Sequence, residues 1–207
     1  MNGILQIISS IALSVSLGAI FYRWNYIKNT TQRFFLYYLI YVLLNEFTAK
    51  ILTYNDFGNY ALYNVYDIIT YSFLLGWFYK ILKHKKLVIG LALVFYIGVI
   101  VSFFVSEFMT AFVDINVYIG TSIVLILVIS YYASLLQLKD AINYSQLPAF
   151  WITTGLLIFH IGYLPIQFLL SFEDFDVTGI YAVISILNIL QYGCFTKGFL
   201  CYQKKAI

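Results

Sequence analysis

The chain has 207 residues, of which 62% are hydrophobic and 20% aromatic, whereas only 10% are charged and the formal net charge is +3. Soluble globular domains carry about a quarter charged residues, and the mean hydropathy of this chain is +0.87. The composition excludes a water-soluble fold. It predicts an integral membrane protein, expected in a bacterial cytoplasmic membrane, whose first partner is the lipid bilayer and which does not bind nucleic acid.

Seven stretches are apolar and long enough to cross the hydrocarbon layer as helices, which takes roughly 20 residues each. In chain order they cover residues 3–22, 34–54, 59–80, 87–106, 112–136, 149–171 and 178–200. We therefore predict an all-α membrane protein in which residues 1–207 form a single domain of seven transmembrane helices.

The cationic residues predict the orientation of these spans. Eleven of the twelve Lys and Arg residues fall in alternate gaps or in the tail: Arg23, Lys28, Arg33, Lys80, Lys83, Lys85, Lys86, Lys139, Lys197, Lys204 and Lys205. The intervening gaps carry acidic residues and no cation. Because cytoplasmic loops are enriched in Lys and Arg, we predict that the N-terminus lies outside and the C-terminus in the cytoplasm.

The two halves of the chain match at several polar positions. Residues 29–32 read Asn-Thr-Thr-Gln and residues 143–146 read Asn-Tyr-Ser-Gln, each just before a predicted span. The same offset pairs Glu46 with His160, and a slightly longer one pairs Asp67 with Asn188. These matches predict parallel three-helix repeats over residues 1–83 and 112–201, joined by a linker helix over 87–106, which is one of the symmetric plans of transporters.

Three ionisable residues, Glu46, Asp67 and His160, lie deep inside predicted spans. An ionised side chain at the bilayer centre costs roughly 2.5–3.5 kcal/mol on insertion scales, so such residues normally face the bundle interior and serve a function. Lys50 follows Glu46 by one helical turn, which makes it the simplest local ion-pair partner for that carboxylate.

Polar residues also recur at helical spacing on the third, sixth and seventh spans. Lipid satisfies no hydrogen bond, so polar stripes must face one another or water. We therefore expect a polar cavity, open to the outside, that binds a small molecule or a lipid. The predicted ligand-binding or proton-coupling residues are Glu46, Lys50, Asn64, Asp67, Tyr71, His160, Asn188 and Gln191.

Motifs for catalysis and for cofactor binding are absent from the sequence. The two histidines and two cysteines are not spaced as a tetrahedral metal site, and there is no G-x-S-x-G elbow and no phosphate-binding glycine loop. We expect no metal, no cofactor and no catalytic residue. An acid–base enzyme would have to use His160 together with Glu46 or Asp67.

The plan of three, one and three spans with the N-terminus outside resembles that of PQ-loop and sugar-efflux transporters and of microbial rhodopsins, along the whole chain but only as architecture. PQ-loop proteins have a Pro-Gln pair in the first helix of each repeat; here the first span has no proline, and the nearest match is Pro165 followed by Gln167. Rhodopsins bind retinal through a lysine in the seventh helix, where this chain has Asn188 and Gln191. We expect a bacterial family of seven-helix membrane proteins without either signature.

Three functions remain open at this stage. The first is a small-molecule binding bundle that works as a proton-coupled transporter. The second is a receptor or interaction subunit that depends on a membrane protein partner. The third is an intramembrane acid–base enzyme.

Overall fold

The computed structural model of the protein describes residues 2–137, 143–170 and 177–201. Several charged residues used to predict the orientation therefore lie outside the described residues: Lys139, Lys204 and Lys205 among the cations, and Glu173, Asp174 and Asp176 among the acids.

All seven apolar stretches are helical, and their bounds agree with the predicted ones to within two residues. The helices are α1 Asn2–Tyr22, α2 Trp24–Ile27, α3 Phe34–Tyr54, α4 Tyr60–Ile81, α5 Lys85–Val105, α6 Asp114–Leu136, α7 Pro148–Leu170 and α8 Val177–Leu200. The short α2 belongs to the connection between α1 and α3. Within the described ranges there is no β-strand, so the all-α prediction is confirmed for this part of the chain.

Six of the long helices have the length and hydropathy needed to cross a membrane, and α4 is not among the six. The α4 helix is 22 residues long but contains Asn64, Asp67 and Lys80, which lower its hydropathy. Large apolar side chains lie on the outer surface of the helices, for example Ile97 and Phe104 of α5. Such surfaces contact lipid or other proteins, and the chain is therefore a helical membrane protein.

Each of the two matching tetrapeptides contributes to a turn of 3₁₀-helix before a long helix. One turn covers Thr31–Arg33 before α3, and the other covers Tyr144–Gln146 before α7. The second turn is tied to α7 by the Trp151 indole, whose Nε1 donates to the Ser145 carbonyl at 2.8 Å. That these segments belong to a duplicated unit stays a prediction.

By contacts, the described chain divides into two compact units, and the divisions fall within α3 and α6. The central unit comprises residues 40–130, and the terminal unit comprises residues 1–39 and 131 onward. In the central unit α4 packs against α5, with Leu74, Phe78 and Phe95 fully buried. Gly98 allows α5 to approach α6, since a Cβ there would lie 2.6 Å from the Ile119 side chain.

In the terminal unit α8 packs against both α1 and α7. The Ser16 hydroxyl of α1 donates to the Tyr192 carbonyl of α8 at 2.9 Å. On the other side, a Cβ at Gly155 of α7 would lie 2.9 Å from the Gln191 carbonyl oxygen, so the two backbones are in close contact. Small residues and interhelical hydrogen bonds of this kind hold membrane helices together, because lipid supplies no hydrophobic drive for their association.

Candidate functional site

The eight predicted site residues divide between the two units. The central unit contains Glu46, Lys50, Asn64, Asp67 and Tyr71, whereas the terminal unit contains His160, Asn188 and Gln191.

Asn64 of α4 organises the loop between α5 and α6. Its side chain is 1% exposed, and its Nδ2 donates to the carbonyl oxygens of Phe108 and Ala111, at 2.8 Å each. Its Oδ1 accepts a hydrogen bond from the Val113 backbone N–H at 2.9 Å. The amide thus makes three hydrogen bonds to the backbone just before α6 begins. Its predicted role in ligand binding stays a prediction, and its observed role is to fix the α5–α6 loop on α4.

Tyr71, two turns further along α4, packs directly on α6. Its hydroxyl and the Thr121 hydroxyl are 2.8 Å apart, and its ring lies against Gly120, where a Cβ would overlap the ring. The ring also meets Phe95 of α5 edge-on, with centroids 5.6 Å apart. Glycine at position 120 is therefore what lets the aromatic ring reach the α6 backbone.

Asn64 and Tyr71 together fix the register of α4 on α6. Asn64 contacts the residue just before α6, and Tyr71 contacts the second turn of α6, so the two helices run in the same direction. Moving back four residues, or about one turn, from Tyr71 and from Gly120 gives Asp67 and Asn116. From this register we infer that Asp67 and Asn116 lie at the same level of the two helices.

Buried polar atoms without partners are concentrated at this level of the central unit. They include Oδ2 of Asp67 and Oγ1 of Thr70 on α4, and both amide atoms of Asn116 on α6; none has a hydrogen-bond partner among the described residues. We call these three residues the Asp67 cluster. Asn116 is 1% exposed, and Asp67 is half-buried as a residue while its Oδ2 atom is buried.

The surroundings of the Asp67 cluster are negative and aromatic. Asp114, the first residue of α6, interacts electrostatically with Asp67, and so does Tyr41 of α3. The Tyr41 ring stacks on that of Tyr66, with centroids 5.9 Å apart and planes 16° apart. A buried polar group without a partner costs about 1–3 kcal/mol, and a buried charge costs more. The cluster is therefore expensive in free energy unless something binds to it.

Glu46 and Lys50 lie on the α3 part of the central unit. Glu46 is half-buried and Lys50 is exposed. Their spacing of one helical turn is preserved, because α3 is continuous from Phe34 to Tyr54. The ion pair between them stays a prediction.

Among the described residues of the terminal unit, His160 is a deeply buried ionisable group. Its side chain is 3% exposed, and its Nδ1 is 2.8 Å from the Leu156 carbonyl oxygen. A carbonyl oxygen only accepts, so Nδ1 carries a proton and, in the neutral ring, Nε2 is an acceptor. Gln191 is buried and Asn188 half-buried on α8.

Two members of the Asp67 cluster, Thr70 and Asn116, were not among the predicted site residues. Asn116 lies in the predicted span 112–136, four residues before Gly120. This spacing of four residues places Asn116 on the same face of α6 as Gly120. It would have marked Asn116 as a site residue only together with the packing of Gly120 on α4, which is a tertiary contact.

Comparison of the chain with protein-family models, with curated proteins and with solved structures gives no match. The fold and the site define a class, that of helical membrane proteins with a buried polar cluster.

Proposed function

We propose that the protein crosses the bilayer seven times, with the N-terminus outside and the C-terminus in the cytoplasm, and that α4 is the remaining span. The α4 helix has 22 residues, about 33 Å at 1.5 Å per residue, enough for the hydrocarbon layer. The exposed cations Lys80, Lys83 and Lys86 lie at the C-terminal end of α4, in the loop that follows and at the start of α5, respectively. This position agrees with a cytoplasmic loop in a bacterial cytoplasmic membrane.

We further propose that the bundle binds a small molecule at the Asp67 cluster and transports it. One observation carries this proposal: a carboxyl oxygen and a hydroxyl within one turn of α4, and a whole carboxamide near the start of α6, are buried without partners in the described residues. Intramembrane polar groups are expensive and are kept where they serve a ligand or a proton.

Uptake into proteoliposomes tests the proposal. Vesicles that contain the full chain are incubated with a defined mixture of small polar solutes, with and without a pH gradient, and the retained solutes are measured by mass spectrometry. We expect at least one solute to accumulate with the wild type but not with Asp67→Asn. The matched control is Asp56→Asn, because Asp56 is an exposed acid in the α3–α4 turn at a φ of 58°, a conformation that asparagine tolerates.

The pH gradient separates the versions of this proposal. Proton coupling requires that the gradient drives accumulation above the outside concentration, whereas equilibration to that concentration with and without the gradient indicates a uniporter. Retention that is the same for wild type, Asp67→Asn and empty vesicles contradicts transport through this site. Stable co-purification with a second membrane protein, in the absence of flux, would favour the receptor or interaction-subunit alternative. The assignments of Glu46, His160, Asn188 and Gln191 to a site stay predictions.

A further inference from the structure

We infer that the Asp67 cluster recognises a small organic ammonium group. This inference rests on the proposed binding function and specifies the chemical class of the ligand. It starts from the hydrogen-bonding inventory of the cluster. Three acceptor oxygens are available, on Asp67, Thr70 and Asn116, and the Asn116 carboxamide adds N–H donors.

The charge around the cluster decides the sign of the ligand. Asp67 is an acidic residue, and Asp114 adds a second acidic group within electrostatic reach. Among the described residues, no hydrogen bond reaches the Oδ2 atom of Asp67. An anionic ligand would be repelled by these acidic groups, and a neutral ligand would leave Asp67 protonated, because a buried carboxyl without a counter-charge takes up a proton. A cation instead allows Asp67 to ionise and then forms a charge-assisted hydrogen bond with it.

The shape of the donor set favours an ammonium ion over a divalent metal ion. A primary ammonium has three N–H donors, which match the three acceptor oxygens. Calcium requires six to eight oxygen ligands and magnesium a near-ideal octahedron; among the described residues there is no cluster of three or more His, Cys, Asp or Glu able to hold a metal ion. The stacked Tyr41 and Tyr66 rings close to Asp67 would add cation–π attraction.

The Asn116 carboxamide adds a second element of specificity. Its Nδ2 is buried and has no partner among the described residues. A ligand that carries a hydrogen-bond acceptor next to its ammonium group would use this donor as well. The cluster thus fits a small amine with an adjacent hydroxyl or carbonyl oxygen.

Three probes of similar size test the inference: 2-aminoethanol, ethylene glycol and glycolate. They share one hydroxyl and differ in the second group, which is an ammonium, a neutral hydroxyl or a carboxylate. Binding is measured by isothermal titration calorimetry on the purified full chain in detergent micelles at constant ionic strength. We expect 2-aminoethanol to bind at least about tenfold more tightly than the other two, the scale of one charge-assisted hydrogen bond.

Variants locate the binding. Asp67→Asn should weaken binding of 2-aminoethanol at least about tenfold, and Thr70→Val is a second variant that leaves the carboxylate in place and should weaken it less. Asp56→Asn should bind like the wild type. Circular dichroism and gel filtration establish that each variant is folded. An Asp67→Asn variant that is folded and binds the amine with wild-type affinity overturns the inference.

The outcomes separate this inference from the proposed function. Suppose that ethylene glycol or glycolate binds as tightly as 2-aminoethanol, and that Thr70→Val weakens the binding of that probe and of the amine. The ammonium assignment is then wrong and the proposed site stands. If none of the three probes binds the wild type, the ammonium assignment is also wrong. The solute-uptake experiment then decides the proposed function independently.

Discussion

Two buried asparagines in the central unit should respond to the same substitution with opposite signs. Asn64 and Asn116 are each 1% exposed. The Asn64 amide makes three hydrogen bonds, at 2.8, 2.8 and 2.9 Å. The Asn116 amide has no hydrogen-bond partner within the described ranges. Leucine and asparagine both carry two terminal groups on Cγ, so Asn64→Leu and Asn116→Leu replace the amide by an apolar group with the same branching.

The expected magnitudes follow from the hydrogen bonds. Each intramolecular hydrogen bond contributes about 0.5–1.5 kcal/mol net. Asn64→Leu removes three and leaves the N–H of the buried Val113 without its partner, whereas the carbonyl of the exposed Ala111 can bind water. We expect a loss of about 2–4 kcal/mol in the free energy of unfolding. Asn116→Leu removes an unpaired buried amide and should raise the free energy of unfolding by about 1–2 kcal/mol.

Unfolding by sodium dodecyl sulfate from mild detergent micelles measures both variants. Helix content is followed by circular dichroism, and, in a background in which Trp24 and Trp151 are replaced by Phe, the fluorescence of Trp77, 2% exposed, follows the central unit. Destabilisation by both substitutions to a similar extent would refute the reasoning, because it would mean that Asn116 is as well bonded as Asn64. An Asn64→Leu variant as stable as the wild type would refute the assigned role of Asn64 in holding the α5–α6 loop.

Three further predictions concern helix packing and the chain terminus. Gly120→Ala should destabilise the protein by about 1–3 kcal/mol, because the new methyl group overlaps the Tyr71 ring. The control Gly76→Ala places its methyl group in open space and should be neutral or slightly stabilising in the same detergent unfolding assay. Equal effects of the two substitutions would contradict the close contact between Gly120 and Tyr71. Tyr71→Phe should cost about 0.5–1.5 kcal/mol through loss of the hydrogen bond to Thr121, and no change would show that bond to be unimportant. Burial raises the pKa of the Cys201 thiol. In a variant that lacks Cys194, maleimide should therefore label Cys201 more slowly at neutral pH in the folded than in the unfolded protein. Equal labelling rates would contradict the burial of Cys201.

The sequence predicted the helices well because their signal is local. Each span is a continuous apolar run, and a helix in lipid has to satisfy its backbone within the same segment. The stripe of Asn64, Asp67 and Tyr71 on one face of α4 was likewise predictable from helical spacing.

The partners of that stripe were not predictable. Asn64 bonds to loop backbone, whose position depends on how α5 and α6 pack and not on the identity of the loop residues. The position of Asn116 in the cluster follows from the contact of Gly120 with the Tyr71 ring. Its own neighbours in sequence, Ile115 and Val117, give no sign of a polar contact. Tertiary contacts of this kind depend on the register between helices, and this register cannot be deduced from the local sequence of either helix.

A high-resolution cryo-electron microscopy map of the full chain in lipid nanodiscs tests the central claim most directly, namely that the Asp67 cluster holds a ligand. We predict density, in the presence of 2-aminoethanol, within hydrogen-bonding distance of both the Asp67 carboxylate and the Asn116 amide. A map in which these two side chains form a hydrogen bond with each other, or in which a lysine forms an ion pair with the Asp67 carboxylate, would contradict the claim.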